Sequence, residues 1–177
     1  PATQPYSQPY WLRKPSNGFT FVIEDQQLVG MPESPPVLTA RLRIQAGAQE
    51  LEFERPVIAR YVDRVDGEIT RPLVVAPPVA VRLPDPVLLF PDARPKTVEV
   101  HLASNVDQAA GEVRLEAPQG WRVAPLAASF RLATAGGETT VSFTITPPAG
   151  SASGEVRAVA VVGGRSISSG MRVLAHD

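Results

Sequence analysis

Cysteine is absent from this 177-residue chain, which excludes disulfides and thiolate metal sites without assigning a compartment. Histidine is confined to His101 and His176, too few for a His-rich zinc spacing. Lysine occurs only as Lys14 and Lys96, and the 17 basic residues are set against 18 acidic ones for a net charge of -1. No dense basic stretch appears on either side of Pro78, so the electrostatic footprint of a nucleic-acid binder is missing. No apolar run approaches the roughly 20 residues of a membrane-spanning helix. Beginning at Pro1 rather than at a methionine, and with no signal-peptide pattern, the sequence is expected to be a piece of a longer or processed protein.

Proline and alternation are plentiful. Nineteen prolines and 13 glycines would break helices repeatedly, whereas β proteins use them at turns, edges and linkers. Between them run short stretches of period two, cleanest at Leu38 to Gln45, Val98 to Leu102 and Val141 to Thr146. A period of two turns one side of a strand into a core and the other into water. With 44% hydrophobic residues there is enough apolar material for packed interiors. The fold class is therefore all-β, as two tandem immunoglobulin-like or fibronectin-III-like β-sandwich domains.

Residues 1–17 carry four prolines and the echo Gln4-Pro5-Tyr6, Gln8-Pro9-Tyr10, a composition suited to an extended N-terminal linker. A small β-sandwich is expected over 18–76, with strands at Gly18 to Glu24, Val37 to Ala46, Glu50 to Glu54, Val57 to Asp63 and Ile69 to Val75. Ala76-Pro77-Pro78 marks the internal boundary, because paired prolines stiffen the backbone and withhold amide donors. An immunoglobulin-like sandwich follows over 77–177, its strands running from Val79 to Leu83, Val87 to Phe90 and onward to Ser166 to Leu174, with turn signals every eight to twelve residues or so. Gly136-Gly137 and Gly163-Gly164 are the hairpin candidates.

Sites are harder to find. His101 falls on the polar phase of its run, as a solvent-facing side chain would, and His176 lies next to the chain end. Asp63-Arg64-Val65-Asp66-Gly67-Glu68 reads as hairpin chemistry rather than a calcium loop, which needs a longer series of oxygen ligands. No Gly-x-Ser-x-Gly elbow supports a serine nucleophile. Catalytic residues, metal ligands and cofactors are accordingly expected to be none, and the fragment is expected not to be an enzyme. Flat rings can stack on sugar faces, which makes Tyr6, Tyr10 and Trp11 the candidate carbohydrate-binding residues. The competing reading has Tyr10-Trp11-Leu12 tether the linker to the first domain. Exposure on a shared plane would favour binding, and burial against Phe19 or Phe21 would favour structure. Trp121 shares phase with Val123 and reads as core. A third reading is protein docking through an exposed sheet edge.

Particular segments carry a resemblance. Gln8-Pro9-Tyr10-Trp11-Leu12, Asp66-Gly67-Glu68 with Arg71-Pro72-Leu73, and Val75-Ala76-Pro77-Pro78-Val79 resemble the non-catalytic region downstream of the deacetylase domain in exported bacterial PIG-L (LmbE-like) proteins. Leu115 to Pro118, Gly120-Trp121, Pro125 and Val141 to Pro147 resemble the alpha-galactosidase-associated (NPCBM-associated) β-sandwich module found beside sugar-active enzymes. The PIG-L family implies zinc-dependent removal of N-acetyl groups from amino sugars through an Ala-His-Pro-Asp-Asp motif. Ala175-His176-Asp177 does not match that motif, so no catalytic residue carries over. The resemblance thus implies an accessory region of a periplasmic or secreted protein. Its partner would be the catalytic domain of the same polypeptide, with a glycan as a second candidate partner, and neither nucleic acid nor a membrane span is implied.

Overall fold

The computed structural model describes residues 4–170, and the chain divides into two compact units, Pro1–Val75 and Ala76–Asp177. Among the described residues there is no α-helix, and twelve strands form four sheets. The all-β reading holds. His176 and the end of the expected Ser166 to Leu174 strand lie outside the described residues.

In the first unit the strands form two hairpins, β1 (Thr39–Ala46) with β2 (Gln49–Pro56) and β3 (Ile58–Asp63) with β4 (Gly67–Pro72). A small sandwich was the expectation for 18–76, and these hairpins are separate two-stranded sheets with their side chains mostly exposed. Gly18 to Glu24 is not a strand. Asn17 Oδ1 accepts from the backbone N–H and hydroxyl of Thr20 at 3.0 and 2.9 Å, and Gly18 takes φ +98°. A side-chain-capped turn here competes successfully with the extended pattern. Among the described residues of this unit, Tyr10 is the buried hydrophobic one.

The second unit is a two-sheet sandwich. One sheet has the order β5 (Val79–Arg82), β6 (Lys96–Ser104), β10 (Glu138–Thr146), β8 (Arg122–Ala124). The other has β12 (Arg165–Ile167), β11 (Arg157–Val162), β7 (Ala109–Glu116), β9 (Ala128–Leu132). The alternation seen in the sequence supplies the interior. Val98, Val100, Leu102, Phe143 and Ile145 face Val113, Leu115, Phe130, Leu132 and Ile167 in one core, the interdigitated layer expected of stacked sheets.

Two expectations change here and a third holds. Val87 to Phe90 is not a strand but a loop rich in proline, with Val87 and Leu89 exposed. Gly136-Gly137 does not close a hairpin, because β9 and β10 belong to different sheets. The glycines instead cross between layers, and Gly136 N–H donates to the carbonyl of Ser104 at 2.7 Å. Gly163-Gly164 does close a hairpin, joining β11 to β12 with both glycines at positive φ, the geometry that two-residue turns demand.

Candidate functional site

The N-terminal segment is bonded into the first unit. Ser7 N–H donates to the carbonyl of Val75, and Val75 N–H donates back to Ser7 Oγ, each at 2.8 Å. Pro9 sets an extended backbone, φ -52° and ψ 136°, from which Tyr10–Leu12 makes one 3₁₀ turn. Tyr10 N–H donates to Ser34 Oγ at 3.0 Å, and its hydroxyl donates to the carbonyl of Met31 at 3.0 Å. With its polar tip satisfied, the ring is 7% exposed, as an aromatic with a polar handle requires when buried.

The three candidate binding residues therefore separate. Tyr10 is buried beneath the Met31 to Ser34 loop, while Phe19 and Phe21 are exposed. Trp11 stands edge-on to it, ring centroids 4.8 Å apart and planes at 89°. Two rings at right angles do not make one flat platform for a sugar. Tyr6 is partly buried and lines no part of the groove that Trp11 enters.

That groove has a volume of about 350 Å³, and Trp11 meets Pro9, Pro32, Pro35, Pro36 and Pro72 in its walls, with Gln8 and Glu33 as polar groups. Rigid prolines hold it open without side-chain entropy to lose. Nothing in the hydrophobic period of Met31 to Pro36 marks it as the wall of a groove. The density of prolines around one tryptophan was the available signal.

The other residues singled out in the sequence have the following surroundings. Asp63 Oδ1 accepts from the N–H groups of Val65 and Asp66 at 2.7 and 3.1 Å. Those two bonds, the Val65 one first, hold the Asp63 carboxyl below its ordinary range against a small opposing desolvation. The turn is thus capped by Asp63, with Gly67 at φ +77°. His101 lies between Arg82 and Thr140 across three strands, partly buried, its Nε2 3.8 Å from Glu99. Trp121 packs edge-to-face with Phe90, centroids 5.0 Å apart, against the sandwich core. Among the described residues, no group of three or more His, Cys, Asp or Glu is placed to hold a metal ion, and no helix is long and apolar enough to cross a membrane.

Among the described residues, the first unit carries the proline-lined groove around Trp11 and the second unit is a two-sheet β-sandwich. Residues 92–163 match the family model of the NPCBM-associated, NEW3 domain of alpha-galactosidase, a non-catalytic accessory domain associated with enzymes. The match lies within the second unit, from the loop before β6 to the β11–β12 turn. No curated protein matches the chain.

Proposed function

We propose that this chain is the non-catalytic accessory region of a larger exported glycan-active protein, which positions the catalytic domain of the same polypeptide. The carrying observation is the family match over 92–163, which contains most of the residues of the buried sandwich core. A densely packed sandwich is stiff and suits a part whose role is placement. The Gln8-Pro9-Tyr10-Trp11-Leu12 and Val75-Ala76-Pro77-Pro78 segments favour a PIG-L-like N-acetyl-sugar deacetylase as the parent, acting in the periplasm or outside the cell. The test compares the full-length protein with a form lacking these 177 residues. Activity on short amino-sugar oligomers is expected to persist and activity on polymeric glycan to fall. Deacetylase activity in the isolated chain would overturn the reading.

A second reading, glycan binding by this chain itself, is favoured by the Trp11 groove with Gln8 and Glu33 on its walls. Calorimetric titration with polysaccharides and amino-sugar oligomers tests it. Saturable binding lost in Trp11→Ala supports it, and binding unchanged in that variant, or none by the wild type, ends it. Tyr6 and Tyr10 enter this reading as supports of the segment.

A further inference from the structure

The chain has two asparagines, Asn17 and Asn105, and the fold sets them in opposite chemical situations. Asn17 is exposed and is followed by Gly18, where an added Cβ would meet nothing within 4 Å. Its side-chain oxygen accepts from the backbone N–H of Phe19 at 3.4 Å, the backbone N–H of Thr20 at 3.0 Å and the Thr20 hydroxyl at 2.9 Å. Those donors draw the carboxamide forward, toward the residues that follow it. Among the described residues, the Gly18 N–H donates to no protein acceptor. Asn105 is the reverse. Its carboxamide nitrogen donates to the Pro77 carbonyl at 2.8 Å in a partly buried bond, and the residue after it is the β-branched Val106.

An asparagine carboxamide is open to attack by the next residue's backbone nitrogen when that nitrogen is unhindered and can shed its proton. Glycine has no side chain to obstruct the approach and the widest backbone freedom, whereas a β-branched residue is stiff and crowds it. Negative charge develops on the carboxamide oxygen during the attack, and donors already aimed at that oxygen stabilise it. Asn17 has all of these features and Asn105 has none of them.

We propose that Asn17 is a self-modifying site, converted by the chain's own backbone and water into aspartate and isoaspartate. The Gly18 nitrogen loses its proton and bonds to Asn17 Cγ. The bond from Cγ to the side-chain nitrogen breaks, and ammonia leaves a closed succinimide ring. Water then opens the ring at either carbonyl. Cleavage between the Gly18 nitrogen and Cγ gives aspartate, and cleavage between that nitrogen and the main-chain carbonyl carbon gives isoaspartate, whose backbone runs through Cγ. Either product adds a negative charge to a chain whose net charge is -1. Aspartate keeps an oxygen where Thr20 donates. Isoaspartate lengthens the main chain by a methylene, so the side-chain cap and the bond from Asn17 N–H to the Thr20 carbonyl, 3.2 Å, cannot both persist, and the turn loosens.

Peptide mapping by mass spectrometry, after the whole folded chain has stood in mildly alkaline buffer, tests this. The expected result is growing conversion at Asn17, seen as the exchange of NH₂ for OH in two chromatographically separate products, with Asn105 unchanged. Conversion quickens as pH rises, because the attacking nitrogen must deprotonate. Thr20→Val keeps the β-branched shape, removes the hydroxyl donor and slows conversion about threefold, the worth of one exposed hydrogen bond. No conversion at Asn17, equal conversion at Asn105, or a rate in Thr20→Val that is unchanged or raised overturns the proposal.

Discussion

Asn105 holds Pro77. Its side-chain amide donates to the Pro77 carbonyl at 2.8 Å, and its backbone N–H donates to the carbonyl of Pro78 at 2.9 Å. Two prolines cannot donate to a ladder, so the first stretch of the second unit is secured through its carbonyls instead. The adjacent Ser104 is buried and donates its hydroxyl to the carbonyl of Val106 at 2.6 Å. Asn105→Ala keeps the backbone bond and orphans the Pro77 carbonyl. The expected loss is about 1–2 kcal/mol, measured by urea denaturation, with faster proteolysis near residues 76–78.

Gly111 lies where β7 and β11 pair, and a Cβ there would meet the Val161 carbonyl oxygen at 2.1 Å. Backbone cannot step aside as a side chain can. Gly111→Ala is therefore expected to destabilise the second unit by about 3 kcal/mol, read as a lower thermal midpoint.

Phe143 is 1% exposed in the centre of the sandwich. Phe143→Ala removes its packing and leaves a cavity, at a cost of about 3–5 kcal/mol. Chemical denaturation checks this, and an effect under 1 kcal/mol would contradict the described core.

Tyr10→Phe deletes one hydrogen bond, that to the Met31 carbonyl, and keeps the ring. A loss of about 1 kcal/mol in the stability of the first unit is expected. Tyr10→Ala is expected to cost more and to raise protease sensitivity at residues 31–34, because the ring is what the loop packs on.

Asp63 sets a pH dependence. Its folded-state pKa is depressed by the Val65 and Asp66 amides, so its contribution is present above the ordinary carboxylate pKa and lost as pH falls through the depressed value. Amide chemical shifts of Val65 and Asp66 are expected to titrate together in that acidic window. In Asp63→Asn, which keeps an acceptor oxygen but cannot ionise, that titration disappears.

The strands were legible wherever alternation was uninterrupted. Val98 to Leu102 and Val141 to Thr146 lie within β6 and β10, because a period of two is a local property. Gly18 to Glu24 misled because Asn17 captures Thr20 and turns the chain, a bond that composition does not advertise. Gly136-Gly137 looked like a hairpin for a related reason. Glycine announces a turn, but which strands the turn connects depends on pairing partners far away in sequence.

The aromatic candidates show the same division. Their clustering around Pro9 was visible in the residues, while the burial of Tyr10 and the seating of Trp11 among Pro32, Pro35 and Pro36 required a loop some 20 residues distant to fold over them. The sequence by itself determined an all-β chain without cysteine, because these follow from period, proline and composition. Only the tertiary structure decided that β9 and β10 sit in different sheets and that Tyr10 and Trp11 stand at right angles. Those outcomes depend on which faces find a partner, and burial is a property of the assembled chain.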